Sequence, residues 1–240
     1  PAVHPCRLGR CGRRGGRTLR VVGFVPAKLN STRVPGKNIR SLGGKPLVNH
    51  VLRTLAEVAT LDESVVYASS DDIMSYVEVE PAPRFVQRPE WLDGDDAKVQ
   101  DFVGGFLAQV DCDVVALLHI TSPFISTSSV EACVDAVVSG GHSSAFAAIE
   151  LRKFCWFEGK PLNYAIDRPT PRTQDLEPVI VEQSGLYVFT RELFEATGSR
   201  IGPDPYIHIV DTIEGHDIDT PEEFEMAEMI ARSRMSEEDR

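Results

Sequence analysis

Residues 26–47 read PAKLNSTRVPGKNIRSLGGKPL and follow directly on the apolar run Val21–Val25. A short apolar run with little polar alternation is the pattern of a strand buried on both faces. The chain then changes character: Lys28, Arg33 and Lys37 are set among Asn30, Ser31, Thr32, Pro35, Gly36 and Asn38. Glycine allows backbone N–H groups to approach a ligand closely, and spaced cations supply counter-charge, so a strand opening into this loop suits a polyphosphate. It is not a Walker loop. The required first glycine falls on Ile39 for Gly44-Lys45 and on Ser31 for Gly36-Lys37, and no G-x-G-x-x-G follows any strand pattern. Solvated surface cations are the alternative; their concentration after a buried strand favours a nucleoside triphosphate site.

Outward from this stretch, strand-length apolar runs recur at Ser64–Ser69 and Asp113–His119, with shorter ones at Arg84–Val86, Ser143–Ile149, Gly185–Phe189 and Tyr206–Val210. Helical spacing fills the intervals: Leu47, Val51, Leu55 and Val58 in the first, then about Asp95–Val110, Thr127–Val138 and Glu192–Thr197. Asp71 and Asp72 read as caps of a short helix to Val77. This alternation predicts an α/β, Rossmann-like, mostly parallel sheet with helices on both faces and ligands beyond the carboxyl ends of the strands. The rhythm breaks over residues 151–183, where Phe154, Trp156, Phe157 and Tyr164 mix with Pro161, Pro169, Pro171 and Pro178. That composition predicts a protruding β-hairpin or flap whose aromatics serve either a subunit interface or local packing.

The 240 residues suffice for one domain, and the formal net charge is −11. Residues 1–20 hold six arginines and no acid, so the remaining chain carries −17. We expect a disordered basic tail followed by a 21–240 domain too acidic to bind nucleic acid. No apolar run is long enough to span a membrane. Five cysteines without metal-ligand spacing fit a cytoplasmic protein with free thiols. His50, His142 and His208 have no partner pattern and read as structural.

A second polar constellation lies near the carboxyl end, in Gly215-His216-Asp217-Ile218-Asp219 followed by Thr220-Pro221-Glu222-Glu223. Thr220 is a candidate N-cap, Pro221 the first helical residue, and Glu223 the return half of a capping box. On a strand Asp217 and Asp219 would point the same way, and two hard oxygen donors suit Mg²⁺. The alternative is that they only complement the following helix dipole.

Four motifs, in order along about Val21–Ile230, resemble the cytidylyltransferases that activate sugar acids, the CMP-acylneuraminate and CMP-Kdo synthetases. They are K-x-N-S-T-R-x-P-G-K-N-I with L-x-G-K-P-L, Leu117-Leu118-His119-Ile120-Thr121-Ser122-Pro123, Pro171-Arg172-Thr173-Gln174-Asp175-Leu176, and Asp217-Ile218-Asp219-Thr220. The resemblance implies CMP transfer from CTP to an acidic acceptor, Mg²⁺-dependent, with pyrophosphate released. It implies nucleotide contacts from Lys28, Asn30, Ser31, Arg33, Lys37, Asn38 and Arg88. Lys37, Arg33 and Asp219 would be catalytic, and Asp217 and Asp219 would hold the metal. The acceptor would lie against His119, Thr121, Ser122, Arg172, Gln183 and Ser184, and the 151–183 flap would cross between subunits of a homodimer. The acceptor side departs from the pattern. His119-Ile120 stands for Gln-Pro, Gln183-Ser184-Gly185 stands for x-Asn-Gly, and the Q-G-D-E-P segment of Kdo synthetases is absent. A sugar acid is the leading acceptor, a small phosphonate such as phosphonoformate the alternative, and a non-catalytic CTP sensor the rival of another class.

Overall fold

The computed structural model describes residues 13, 14, 17–31, 34–94 and 96–238. Among them the core is a seven-stranded sheet. In chain order its strands are β1 (Val21–Pro26), β2 (Glu63–Ala68), β3 (Arg84–Gln87), β4 (Val114–Leu118), β5 (Ser144–Leu151), β6 (Val179–Thr190) and β7 (Tyr206–Ile209). They lie side by side as β7-β5-β6-β4-β1-β2-β3. Only β6 runs antiparallel to its neighbours β4 and β5; the other pairings are parallel. The expected mostly parallel sheet is therefore present, with one reversed strand inside it.

Strand alternation divides the core into two layers. Val21 and Val25 of β1 face one way, with Val114, Ala116 and Leu118 of β4. Val22 and Phe24 face the other way, with Val115 and Leu117. The first layer is covered by α1 (Val48–Glu57), α3 (Thr127–Val138) and α5 (Pro221–Glu238). In α1 the i, i+3, i+4, i+7 set Val48, Val51, Leu52 and Leu55 is fully buried, the stripe that the sequence period demands. The second layer is covered by α2 (Val99–Leu107) and α4 (Arg191–Thr197). There Phe106 stacks on Phe24 at 4.0 Å between ring centroids and meets Tyr67 edge-on at 5.9 Å.

Three expectations are corrected. The helix predicted from about Asp95 begins at Val99, because Glu90–Asp93 forms a separate 3₁₀ turn. The helix after β2 is a 3₁₀ turn, Asp71–Tyr76, capped by Ser70 rather than by the aspartates: the Ser70 hydroxyl accepts from the Asp72 N–H. The strand predicted at Gly185–Phe189 is the second half of β6, which begins at Val179 and pairs residues 179–182 with β5. Six residues assigned to the flap, Leu151 and 179–183, thus belong to strands of the sheet. The flap itself carries the two-residue strands Trp156–Phe157 and Lys160–Pro161, paired antiparallel. Trp156 is 58 % exposed and Phe157 65 %. Most of the basic tail lies outside the described residues; Arg13–Arg14 pairs antiparallel with Arg17–Thr18. No helix among the described residues is long and apolar enough to cross a membrane.

Candidate active site

The carboxyl ends of β1, β3 and β4 open on one cavity of about 610 Å³. Its first wall comes from the loop after β1. Gly36 takes a left-handed conformation (φ 62°), which turns the chain into the single 3₁₀ turn Lys37–Ile39. That turn aims Lys37 inward: the residue is only 7 % exposed, and its Nζ donates to the Ile218 carbonyl at 2.6 Å and lies 3.5 Å from Asp219 Oδ1. Asn38, also buried, donates from Nδ2 to the Lys28 carbonyl at 2.8 Å, which holds the loop closed on itself. Lys28 and Ser31 line the cavity with Lys37 and Asn38.

The far wall is the 216–220 segment. It has no regular secondary structure and is not a strand of the sheet, which corrects the strand expected there. The alternation nevertheless holds. Ile218 is fully buried and its N–H donates to the Thr121 carbonyl at 2.8 Å, while Asp217 and Asp219 both line the cavity. The capping box forms as expected and fixes the segment's exit. Glu223 N–H donates to Thr220 Oγ1 at 3.2 Å, and Glu223 Oε2 accepts from the N–H groups of Thr220 and Asp219 at 2.8 and 2.7 Å. These backbone bonds hold the Glu223 carboxyl below its ordinary range.

Asp217 is the more embedded carboxylate. Ser184 Oγ donates to its Oδ2 at 2.6 Å and Ser122 Oγ to its Oδ1 at 3.3 Å. Burial alone would raise its pKa; the bonds from Ser184 and Thr121, helped by the charge of Lys37, outweigh that and hold Asp217 below the ordinary carboxylate range. His119 sits beside it at the end of β4, and its Nε2 is buried with no partner. Burial, and next the charge of Arg200, push its pKa down to about 4, so the imidazole is neutral at pH 7.

Several predicted residues take other places. Arg33 lies outside the described residues. Asn30 is exposed and does not line the cavity. Arg172 is exposed, pairs with Asp175 at 2.7 Å, and is not a lining residue in this chain. Gln183 and Ser122 also fall outside the lining, Ser122 standing behind Asp217. Arg88 does line the cavity, but its guanidinium is already paired, with Nη2 2.5 Å and Nε 3.1 Å from Asp93 Oδ1. Asp93, unnoticed in the sequence, organises that corner. Its other carboxylate oxygen accepts from Ser69 at 2.5 Å, and its carbonyl accepts from Lys28 Nζ at 3.1 Å. Leu92, Gly94, Ala97 and Phe102 complete an apolar wall there, for which the sequence carried no signal beyond helical spacing.

The donor set fits Mg²⁺. It offers two cavity-facing carboxylates and leaves the remaining positions to phosphates and water, as that ion prefers. Among the described residues no group of three or more histidine, cysteine or acidic side chains forms a dedicated metal cage.

With this geometry in hand, a family model described as cytidylyltransferase matches residues 22–239. The chain belongs to the cytidylyltransferase family. Its relatives include an N-acylneuraminate cytidylyltransferase of Oncorhynchus mykiss, 25 % identical over 188 residues, which cover 75 % of this chain and 43 % of that protein. A CMP-N,N'-diacetyllegionaminic acid synthase of Legionella pneumophila is 26 % identical over 88 % of this chain and 96 % of its own length. The chain spans about half the length of these N-acylneuraminate relatives. Among solved structures, CMP:2-keto-3-deoxy-manno-octonic acid synthetase complexed with CTP shares the fold at a TM-score of 0.67, with 18 % identity over 90 % of this chain and 99 % of that one.

Proposed function

We propose that this cytidylyltransferase moves CMP from CTP to an acidic acceptor of the sialic acid or Kdo type, with Mg²⁺ and with release of pyrophosphate. One observation carries the reading: Lys37 and the Asp217/Asp219 pair, from opposite ends of the chain, converge on a single cavity, with Lys37 Nζ 3.5 Å from Asp219. The names of the relatives supply the acceptor class and the preference for CTP.

In the transfer, an acceptor oxygen forms a bond to the α-phosphorus while the bond to the pyrophosphate oxygen breaks in line. Such chemistry asks the protein for positioning and charge stabilisation rather than covalent participation. Lys37 offsets charge on the transferred group, and Ser31 and Asn38 orient the phosphates. Mg²⁺, held by Asp217 and Asp219, would supply further neutralisation of phosphate charge. Thr121, Ser184 and neutral His119 face the acceptor. A homodimer through the 151–183 flap is supported by the exposed Trp156, Phe157 and Ile166, the last 71 % exposed.

One feature favours a smaller acceptor as a second reading. Ser184 replaces the expected asparagine and its hydroxyl is engaged by Asp217, so the acceptor side offers no amide at that position. A pyrophosphate-release assay with CTP, Mg²⁺ and a panel of sialic acids, legionaminic acids, Kdo and phosphonates separates the readings. Release with a sugar acid and CTP supports the first, release only with a phosphonate supports the second, and CTP binding without release under any condition would leave a nucleotide sensor.

A further inference from the structure

We infer that Arg200, with Tyr187 and Glu182, is a positioning device that sets Ser184, and through it Asp217, in the site. This rests on the role proposed above for Asp217.

The β5–β6 ladder is regular from Val179↔Leu151 to Glu182↔Ala148 and resumes at Tyr187↔Phe146. Between those points β6 advances five residues while β5 advances two, so the 183–186 stretch is an excursion out of register. Bulges of this kind re-aim side chains and are found next to active sites. Here the excursion delivers Ser184 Oγ to Asp217 at 2.6 Å and the Gly185 carbonyl to the His119 N–H at 3.0 Å.

Toward β4 the excursion is held by the Leu186↔Leu118 pair, and toward β5, where the ladder is lost, its two ends are tied by side chains. The Tyr187 hydroxyl donates to the Glu182 carboxylate. The Arg200 guanidinium lies 3.5 Å over the Tyr187 ring and its Nη2 stands 3.7 Å from Glu182 Oε1. One cation thus grips both flanks of the bulge, by its face and by its edge. Stability alone is a poor account of this choice. Arg200 Nη1 is buried without a partner, a costly arrangement that a methionine or leucine over the same ring would avoid. The Arg200 charge also bears on His119, which places the clamp on the acceptor side of the cavity.

The test uses Tyr187→Phe, which keeps the ring under Arg200 and removes the hydroxyl, and Arg200→Met, which keeps volume and removes the cation; Arg200→Lys is the conservative rescue. Each is compared with Ser184→Ala alone and in combination. Binding of Mn²⁺ to the CTP complex, followed by electron paramagnetic resonance, and the split between kcat and KM are the functional readouts. Tyr187→Phe should weaken Mn²⁺ binding and lower kcat by about tenfold each, with KM for CTP within about twofold, and should add little on top of Ser184→Ala. Arg200→Lys should recover part of the Arg200→Met loss. Additive effects of Tyr187→Phe and Ser184→Ala, or a fall in Tm with Mn²⁺ affinity intact, would overturn the inference. Hydrogen exchange at the Ser184 and Gly185 amides gives an arm independent of activity: faster exchange in Tyr187→Phe is expected, and unchanged exchange would remove the clamp even if the chain proved not to transfer CMP. Conversely, absence of Mn²⁺ binding by the wild-type protein with CTP, together with faster exchange in Tyr187→Phe than in wild type, would keep the clamp and refute the proposed function.

Discussion

The two walls of the cavity are built by opposite means. On the proposed nucleotide side, the 28–38 loop carries its chemistry in residue types: cations, amides and a glycine, held by local bonds such as Asn38 to the Lys28 carbonyl. On the proposed acceptor side, a serine and a glycine of ordinary appearance reach Asp217 and His119 only because β6 slips register against β5. The first wall depends on side-chain identity and the second on backbone path. Substitutions should therefore fail differently on the two sides.

The largest expected effect tests the identity side. Lys37→Ala should lower kcat by about 10²–10³-fold, with a smaller change in KM for CTP, because its charge is matched to the transition state. Steady-state pyrophosphate release reads both constants, and unchanged turnover would break the comparison at its strongest point. Next comes the path side. A β-carbon on Gly185 would sit 2.5 Å from the Ser122 Cβ and Oγ. Gly185→Ala should thus displace the excursion, lowering kcat at least tenfold and costing about 1–3 kcal/mol of stability, measurable by denaturant titration. A tolerated alanine would mean that the backbone path is not fixed there.

Ser184→Ala isolates one bond of that wall. A turnover loss of about tenfold is expected, together with a shift in the acid limb of the rate profile. The bond from Ser184 stabilises the ionised Asp217 carboxylate, so its removal raises the pKa and activity should be lost beginning at a higher pH than in the wild type. The smallest effect concerns His119. With its pKa pushed down to about 4, the wild-type profile should show no limb at the ordinary histidine value of 6.5. His119→Asn should leave the profile between pH 6 and 8 flat in shape, changing only its height; a histidine limb in the wild type would show that Arg200 and burial do not control this group.

Legibility in the sequence follows the same division. The sheet, the buried α1 stripe and the Thr220–Glu223 capping box were readable because each depends on local period or on short-range pairing. Lys37, Asp217 and Asp219 were readable by type, and their meeting in one cavity agrees with the family order. The first half of the reversed β6 was not readable: residues 179–184 run VIVEQS, three apolar then three polar, directly after a stretch dense in prolines, and their pairing with β5 is settled by tertiary contact. Asp93 and Arg200 left no mark for the same reason. An aspartate before glycine and an arginine in a loop look like surface residues until Ser69, Arg88 and Lys28 close on the one and Tyr187 lies under the other. Arg172, expected at the acceptor from its motif, is exposed in this chain and pairs with Asp175.

The hydrogen bond from Lys37 to the Ile218 carbonyl spans 181 residues of sequence. A ribosome must therefore emit the chain through Ile218 before the loop after β1 can meet its counterpart. Until then a nascent chain holds the phosphate loop with its lysine undirected, and substrate offered to such an intermediate would find no assembled catalyst. The order of synthesis thus gives the 216–220 segment, rather than the earlier-made loop, the decision over when the site is assembled.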